Sequence, residues 1–463
     1  MSRYVSDKLL YIGVDFGTTN TVVSLCDHAG VTRTLVYPSA QGPLSTFRSV
    51  LCYVSEDGES LSTTARVYCG PAAIEAFLQQ GEDARLIQSV KTFLSSKSFS
   101  KSTILGREYT LEQIVADFLR GLVKAAQWPQ GVANLSGPIT VGRPVKFAGG
   151  GTAAEDALAE SRLRTAFKAA GFADINLALE PQAAAYFFAR CLREPATVLV
   201  ADFGGGTSDF SIVKFDPHTG KTQALAHAGV GIAGDTLDYR IIDKVIAPAF
   251  GKGSNFRPED KWLEVPKWIY FEFEHWHQLS FLKRPAVLRE LKDIERTSDS
   301  PEKIAGLRLF LEHELGFHLY QAVNQCKTAL STATQAELVF NFPPIELRCT
   351  VRRSDFEQWI AQDVAAIEAA CSEALMQAKM TAQDISVVFM TGGTSFVPLL
   401  RQRFEARFGM EKIVVGDEFV SVGNGLALLA RERAKRGGHS PSGRSVGVEV
   451  REAGSCNSSI RKA

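Results

Sequence analysis

The sequence predicts a mixed α/β fold that contains the same unit twice. A short apolar strand, a glycine-containing turn and a second strand occupy residues 9–25, and the same pattern returns at residues 197–213. Asp15 and Asp202 end the first strands of the two hairpins, and the 187 residues between them are about one domain length. One hairpin is weak evidence, whereas two copies at this spacing indicate a duplicated fold.

Length and composition set the broad class. The chain has 463 residues, too many for one core, so two or more packing units are expected. The 51 basic and 51 acidic residues cancel, which argues against nucleic acid or an anionic membrane surface as a partner. The eight dispersed cysteines favour reduced thiols, and the N-terminus has no apolar signal segment. No apolar run approaches the roughly 20 residues that span a bilayer, so a cytoplasmic protein is expected.

Apolar periodicity places further elements along the chain. Residues 111–126 carry leucine, isoleucine, valine and phenylalanine at helical spacing, and a second helix over 153–170 ends at Gly171. Other predicted elements are strands at 139–141 and 385–390 and helices over 353–380, from about Pro398, and over 422–435. Residues 256–332 differ in character, because they hold three of the five tryptophans and a run of amphipathic helices.

The two glycine turns are suited to bind a polyphosphate. Backbone N–H groups converge on phosphate oxygens only where small residues let the backbone approach, and glycine adopts positive φ at little cost. The first turn is Gly17, Thr18 and Thr19; the second is Gly204, Gly205, Gly206 and Thr207. Either turn alone is as easily structural, but together, each behind an aspartate, they favour phosphate binding.

Carboxylates near these turns are candidates for a magnesium site. Mg²⁺ keeps several of its waters, so Asp15, Asp202 and Asp209 are expected to hold it through water; hydrogen bonds to the turns are a compatible alternative. Glu180 precedes a proline and is predicted to end a loop before a helix, either as a structural cap or as a general base contributing ~10²–10⁴ in rate. Spacing alone makes Lys91 a solvated surface charge.

Four motifs resemble those of the seventy-kilodalton heat-shock chaperone family, within the actin-like ATPase superfamily. They are Ile12–Asn20, Glu180–Ala185, Val198–Ile212 and Met390–Pro398, in the family's order. The resemblance implies a duplicated actin-like (ribonuclease H-like) ATPase fold, with two lobes around a nucleotide cleft. Lobe I is expected at 1–193 with a return at 415–435, and lobe II at 194–414 with a helical aromatic insertion at about 250–325. Residues 436–463 are expected to be a disordered tail.

The resemblance also implies roles for individual residues. Lys91 and Glu180 would position the attacking water, with Asp202 and Thr207 completing the catalytic group. Asp15, Asp202 and Asp209 would surround hydrated Mg²⁺. The expected nucleotide contacts beyond the two turns are Gly231, Gly234, Asp235, Lys327, Ser331, Gly392, Gly393 and Phe396.

Several positions depart from the family's pattern. Phe396 and Thr328 stand where basic residues usually flank adenine, and Asn324 replaces an acidic ribose contact, so adenine is expected to stack on Phe396. The family's proline before the helix near 142 is replaced by the segment Val141-Gly142-Arg143-Pro144, so coupling between the lobes is expected to differ. Only 28 residues follow Lys435, which makes the chain look like a short bacterial member with the ATPase domain alone.

The expected activity is slow ATP hydrolysis that opens and closes the lobes of a chaperone-like protein. ATP or ADP and Mg²⁺ are the expected cofactors. A protein partner or client at the lobe II insertion is possible, although its aromatic residues are more simply its own core. The oligomeric state stays open. The alternatives are a small-molecule kinase of the same superfold, a filament-forming protein and a nucleotide-binding scaffold. His313 and His318 are five residues apart. On a helix this spacing places them on different faces, which argues against a zinc site.

Overall fold

The structure is a computed structural model, and it describes residues 10–38, 42–55, 65–80, 83–129, 137–147, 152–190, 194–216, 221–258, 261–273, 284–415, 420–437 and 461–462. The chain forms two compact units. Unit 1 comprises Met1–Gly231, Ile367–Ser395 and Gln402–Ala463, and unit 2 comprises Ile232–Ala366 and Phe396–Arg401. Both glycine turns belong to unit 1. The lobe boundaries expected from the sequence stay a prediction.

The strands, in chain order, are β1 (Tyr11–Phe16), β2 (Asn20–Cys26), β3 (Thr32–Thr34), β4 (Phe47–Arg48), β5 (Val50–Ser55), β6 (Ala65–Cys69), β7 (Ala84–Gln88), β8 (Lys101–Ile104), β9 (Arg107–Thr110), β10 (Ile139–Arg143), β11 (Ile175–Leu179), β12 (Ala196–Phe203), β13 (Ser208–Asp216), β14 (Lys221–Val230), β15 (Asn255–Phe256), β16 (Leu263–Glu264), β17 (Gln335–Phe342), β18 (Ile345–Arg352), β19 (Val387–Thr391), β20 (Ile413–Val415) and β21 (Arg461–Lys462).

The α-helices are α1 (Pro71–Gln80), α2 (Leu111–Ala125), α3 (Ala153–Ala169), α4 (Glu180–Ala189), α5 (Gly234–Ile241), α6 (Ala247–Ala249), α7 (Trp268–Phe271), α8 (Pro285–Thr297), α9 (Pro301–Glu312), α10 (Gly316–Leu330), α11 (Arg353–Gln377), α12 (Pro398–Phe408) and α13 (Ser421–Gly437). A π-helical turn, Ile242–Ile246, joins α5 to α6, and 3₁₀ turns lie at Val90–Phe93, Ala382–Asp384, Gly393–Phe396 and Met410–Lys412.

Two sheets of unit 1 share one strand order. In the first, three antiparallel strands lead to two parallel ones, in the order β3-β2-β1-β10-β11, with β4 also paired to β2. In the second, the order β14-β13-β12-β19-β20 repeats this arrangement strand for strand, and β21 adds to its edge. The predicted duplication is therefore present in the topology as well as in the turn residues.

Strand β1 is apolar except for Asp15, because both of its faces are covered. Ile12, Val14 and Phe16 point into a core that includes residues of α2 and α3. On the other face α13 lies so close that a Cβ on Gly13 would stand 2.3 Å from the Gly423 carbonyl oxygen. Asp15 shares that second face, since alternate residues of a strand point the same way.

Helix α4 packs against α13 and the second sheet. Its Ala183, Ala184 and Ala185 are buried with Val198, Val200 and Leu426. A Cβ on Gly425 of α13 would lie 1.9 Å from the Ala183 carbonyl oxygen, so only glycine fits where the two helices cross. This close crossing fixes the start of α4, which is where Glu180 lies.

Helix starts follow the capping signals in the sequence. Thr110 and Gln113 form a capping box at α2, and Thr152 and Glu155 form one at α3. Most predicted elements are confirmed to within a few residues, including α2, α3, β10 and α13. Glu180 differs from the expectation, because it follows β11 directly as the first residue of α4 and no loop precedes it. The predicted disordered tail lies largely outside the described residues. Where it is described the prediction is wrong, because 436–437 extend α13 and 461–462 form β21, which pairs with β20.

The aromatic residues of unit 2 divide between core and surface. Tyr270 and Phe273 are buried and pack with Phe250 and Phe310. Trp262, Trp268 and Phe271 are exposed, as is Leu263. Trp276 and the pair His275 and His277 lie outside the described residues. The insertion therefore builds an apolar core of its own and still leaves three large aromatic side chains on its surface.

Candidate functional site: a buried lysine among four carboxylates

The first glycine turn joins β1 to β2 and directly follows Asp15. A Cβ on Gly17 would lie 2.2 Å from the Asn20 carbonyl oxygen, so this tight turn requires glycine. Thr19 accepts a backbone hydrogen bond from Ser49 at 2.9 Å, which fixes the far end of the turn. Gly17, Thr18 and Thr19 all remain partly accessible. Their backbone is therefore reachable by an anion.

The second glycine turn joins β12 to β13 and closes on itself. The Gly204 N–H donates to the Thr207 carbonyl oxygen at 2.9 Å. At its base Asp202 and Asp209 face each other as cross-strand partners. Gly204 is exposed, and Gly205, Gly206 and Thr207 are partly accessible. The second turn is thus at least as accessible as the first, and it has one additional carboxylate beside it.

Asp209 is held by two hydrogen bonds and is closely bordered by a glycine. Its Oδ2 accepts a hydrogen bond from the Thr207 hydroxyl at 2.8 Å, and its Oδ1 accepts one from the Val145 N–H at 3.0 Å. Gly229 of β14 lies opposite, where a Cβ would come within 2.4 Å of Oδ1. The carboxylate is thereby fixed in one orientation, with the Thr207 hydroxyl beside it.

Lys91 and Glu180 form a buried ion pair. Lys91 lies on the 3₁₀ turn after β7, and its Nζ is 2.7 Å from Glu180 Oε1. The two residues are only 7% and 6% exposed. Gly142 of β10 makes room for the glutamate, since a Cβ there would lie 2.8 Å from Glu180 Cγ. The surface role that spacing alone suggested for Lys91 is therefore wrong, because the lysine is buried.

The pKa values show that this cluster carries too much negative charge for its surroundings. Burial, together with the charge of Glu180, raises the pKa of Asp15 and that of Asp209 to about 7. Burial and the charges of Glu180 and Asp15 raise the pKa of Asp202 well above its usual value. Burial alone would lower the pKa of Lys91, but Glu180 and Asp15 raise it, so its ammonium stays charged. One lysine thus faces four carboxylates, an arrangement that an added cation would stabilise.

The described residues suit a hydrated divalent cation better than a directly bound one. Within the described ranges, no three His, Cys, Asp or Glu side chains come close enough to hold one metal ion. The raised pKa values of Asp15 and Asp202 nevertheless mark a place where positive charge is favoured. Carboxylates that hold Mg²⁺ through its bound waters can lie too far apart to bind the ion directly and still favour its positive charge. Mg²⁺ suits this arrangement because it gives up water reluctantly.

Gly392 and Gly393 lie beside the second turn. Gly392 has a positive φ of 86°, and a Cβ there would be 2.1 Å from the Phe203 carbonyl oxygen. The hydroxyl of Thr394 donates to the Gly204 carbonyl oxygen at 3.0 Å. The structure therefore brings the motif after β19 to the glycine turn after β12, as two neighbouring parallel strands require.

The other predicted nucleotide contacts lie in unit 2, except Gly231, which follows β14 in unit 1. Gly234 begins α5, with Asp235 in its first turn. Lys327 donates from Nζ to the Gly234 carbonyl oxygen at 3.3 Å and lies 2.9 Å from Asp238. Ser331 directly follows α10, and Phe396 is 47% exposed. Lys327 and Gly234 are thus brought together, and the contacts of these residues with a nucleotide stay a prediction.

Sequence reasoning missed the part that three residues play in shaping the site. Val145 supplies the N–H that holds Asp209, while Gly142 and Gly229 leave the space that Glu180 and Asp209 occupy. An isolated glycine inside a strand often marks the close approach of another group, so both glycines carried a usable signal. A backbone N–H has no residue-type signal, and Val145 could not have been found.

Comparison with known proteins gives one consistent result. The family model described as Hsp70 protein matches residues 305–431. Chaperone protein DnaK of Thermotoga neapolitana is 27% identical over 447 residues, covering 93% of this chain and 61% of that protein. DnaK of Thermosipho melanesiensis is 26% identical with the same coverage, and DnaK of Deinococcus radiodurans is 24% identical over 89% of this chain and 58% of its own length.

The chain is thus similar to Hsp70 proteins. The predicted fold class is confirmed as well, since the ATPase domain of Hsp70 proteins is an actin-like two-lobe fold and this chain is mixed α/β. The chain spans about three fifths of the length of the curated relatives it matches. The Hsp70 resemblance that four short motifs indicated thus extends along most of the chain.

Three further observations concern the remaining expectations. Within the part of the chain that the structure describes, no helix is long and apolar enough to cross a membrane. The six described cysteines, Cys26, Cys52, Cys69, Cys326, Cys349 and Cys371, are free. His313 and His318 both lie near the ring of Phe342, with centroids 5.8 Å and 6.3 Å away, as expected of packed histidines.

Proposed function

We propose that this chain binds ATP with Mg²⁺ and hydrolyses it slowly, and that the cycle opens and closes the two lobes. The observation that carries the proposal is the buried pair of Lys91 and Glu180 beside Asp15, Asp202 and Asp209, at the ends of two glycine turns. A structural turn needs no buried lysine, and four crowded carboxylates lower stability unless a ligand compensates them. A location in the cytoplasm remains a prediction.

The residues divide the proposed work between binding and chemistry. The N–H groups of the two turns bind the phosphates, and Asp15, Asp202 and Asp209 hold hydrated Mg²⁺, which neutralises phosphate charge. Lys91 and Glu180 orient a water toward the γ-phosphorus; the water oxygen forms the new bond as the bond to the β,γ-bridging oxygen breaks. ADP and inorganic phosphate leave, and one water proton is released. Catalysis of this kind depends mainly on position and electrostatics.

A single-turnover experiment tests this proposal. ATP binding and hydrolysis with Mg²⁺ are measured for the wild type, Lys91→Met and Asp202→Ala. The expected result is hydrolysis by the wild type, ATP binding without hydrolysis by Lys91→Met, and loss of the magnesium dependence in Asp202→Ala. Binding without hydrolysis by the wild type would favour a nucleotide-binding scaffold, and no binding at all would refute the proposal.

We also propose that the exposed aromatic residues of unit 2 contact a protein partner or client. Trp262, Trp268 and Phe271 are exposed within a short stretch, although the insertion has a buried core in which they take no part. Exposed clusters of large apolar side chains are typical of interaction surfaces, and tryptophan is enriched among the residues that dominate binding. The neighbouring Lys267 and Glu264 give the patch a charged border of both signs.

Trp268→Ser tests this surface. The variant should lose a partner captured by the wild-type chain while keeping the wild-type unfolding transition, because Trp268 is already 41% exposed. Val339→Ser is a matched control, since Val339 is 42% exposed in the same unit and lies on β17. Equal capture by all three proteins would contradict the proposed surface.

A further inference from the structure

The turn that carries Lys91 has little regular structure to hold it. Ser89 before it has a φ of 52°, which is unusual for a residue other than glycine. After the 3₁₀ turn, Leu94 donates its N–H to the Lys91 carbonyl oxygen at 3.2 Å, and the chain then leaves the turn without entering a strand or a helix. Within the segment, Ser96 donates its N–H to the Phe93 carbonyl oxygen at 3.1 Å. The carbonyl groups of Leu94 and Ser96 belong to no strand or helix, so a donor from another element can bind them.

One arginine of α3 supplies this donor. Nη1 of Arg162 donates to the carbonyl oxygens of Phe93 at 3.3 Å, Leu94 at 3.0 Å and Ser96 at 2.8 Å. Its Nε lies 3.5 Å from Glu112 Oε1, on α2. Arg162 is only 8% exposed, and arginine is seldom buried to this degree unless it is paired. A single guanidinium thus ties the segment after Lys91 to two helices.

We infer that Arg162 is a positioning residue that fixes Lys91 against Glu180. Without Arg162 the carbonyl oxygens of Leu94 and Ser96 would lose this donor and turn toward water, and the segment that contains Lys91 would move with them. Lys91 Nζ meets Glu180 Oε1 at 2.7 Å only while this segment keeps its place. Arg162 reaches the ion pair through the backbone, so it acts on the site without touching it. The inference rests on the proposed function only where it concerns hydrolysis.

Amine labelling measures the position of Lys91 without ATP. Reductive methylation of the folded chain is followed by mass spectrometry for Lys91 and for Lys101, whose side chain is 57% exposed and serves as the internal standard. In Arg162→Met the labelling rate of Lys91 relative to Lys101 should rise at least about tenfold, because a buried amine reacts only when its surroundings open. Arg164→Met is the matched control, since Arg164 of the same helix donates to the Ile175 carbonyl oxygen at 2.7 Å.

Hydrolysis gives a second and separate measurement. Arg162→Met should slow single-turnover hydrolysis between about tenfold and a hundredfold while ATP affinity changes little, because a small displacement of a catalytic group has effects of this size. A purely structural role would lower stability and leave the hydrolysis rate of the folded protein unchanged.

Each outcome decides the inference. Unchanged labelling of Lys91 in Arg162→Met, or an equal rise in Arg164→Met, would overturn it. If Arg162→Met does not fold, Arg162→Lys takes its place, because a lysine ammonium cannot reproduce the fork of an arginine, and a smaller rise in Lys91 labelling is then expected. A wild type without hydrolysis refutes the proposed function alone, since the labelling result still decides the position of Lys91.

Discussion

Replacing Lys91 by methionine should destabilise unit 1 strongly, because it leaves Glu180 buried without its partner. The pair is separated by 2.7 Å, and its two residues are 7% and 6% exposed, so solvent screens it little. Removing one member of a buried ion pair costs about 3–5 kcal/mol in the free energy of unfolding. Asp15, Asp202 and Asp209 add repulsion once the ammonium is gone, which places the expected loss toward the upper part of that range.

Two further variants separate the charge from the loss of packing. Lys91→Met/Glu180→Gln removes both charges and should recover much of the stability, giving a coupling free energy of about 2–3 kcal/mol. Lys101→Met is the control for an ordinary pair, because Lys101 Nζ lies 3.1 Å from Glu108 with both side chains more than half exposed. Its expected cost is below about 1 kcal/mol.

The measurement must resolve one unit of the chain. Two compact units do not guarantee a single cooperative transition, so the free energy is read from the urea dependence of hydrogen exchange in the β1 and β12 peptides at pH 8. The reasoning is refuted if Lys91→Met costs no more than Lys101→Met, or if the double variant is no more stable than Lys91→Met. Either result would mean that the surroundings of Glu180 rearrange to admit water.

Three other predictions follow from the same structure. Asp15→Asn should raise the melting temperature at pH 8. The pKa of Asp15 is raised to about 7, so the protonated carboxyl, which stabilises the folded chain, is lost as the pH rises through 7. The increase in melting temperature should therefore become smaller below pH 7. His227→Gln should reduce the loss of stability below about pH 6.5. Burial lowers the pKa of His227, so just below that pH the unfolded chain binds a proton at this histidine and the folded chain does not. Equal dependence of stability on pH in the variant and the wild type, measured by calorimetry, would contradict this. Gly392→Ala should lower the free energy of unfolding by about 2 kcal/mol or more, because φ is 86° and the new Cβ would lie 2.1 Å from the Phe203 carbonyl oxygen. Gly171→Ala is the control and should cost less, since Gly171 also has a positive φ but has open space around it. Both are measured by the same hydrogen exchange.

The parts of the site that the sequence predicted lie at the ends of strands. Asp15 and Asp202 follow apolar runs and precede glycines, and a strand followed by a tight turn allows few other conformations. The repeat of this pattern predicted the duplication, which the matching strand orders of the two sheets now extend. Glu180 was found for a related reason, since the proline after it marks the start of a helix.

The parts that the sequence did not predict depend on which elements meet. Apart from the family resemblance, nothing in the sequence distinguishes Lys91 from a surface lysine, because no local pattern shows that the fold places Glu180 and Asp15 beside it. The exposure of Trp268 and the burial of Phe273, five residues later, were equally unpredictable, because both residue types favour a core. Composition identified the aromatic cluster but could not show which of its residues are buried and which are exposed.

Arg162 shows most clearly where the limit lies. It is one of three arginine or lysine residues between positions 162 and 168 of α3, and an arginine on a helix is usually a solvated charge. What sets it apart is the irregular segment after Lys91, whose carbonyl groups have no strand or helix to join. A segment that must leave regular structure to place a catalytic group creates buried acceptors, and a donor has to come from a neighbouring element. Searching around a candidate catalytic turn for the donor that completes its backbone hydrogen bonds is therefore a direct way to find positioning residues that no motif contains.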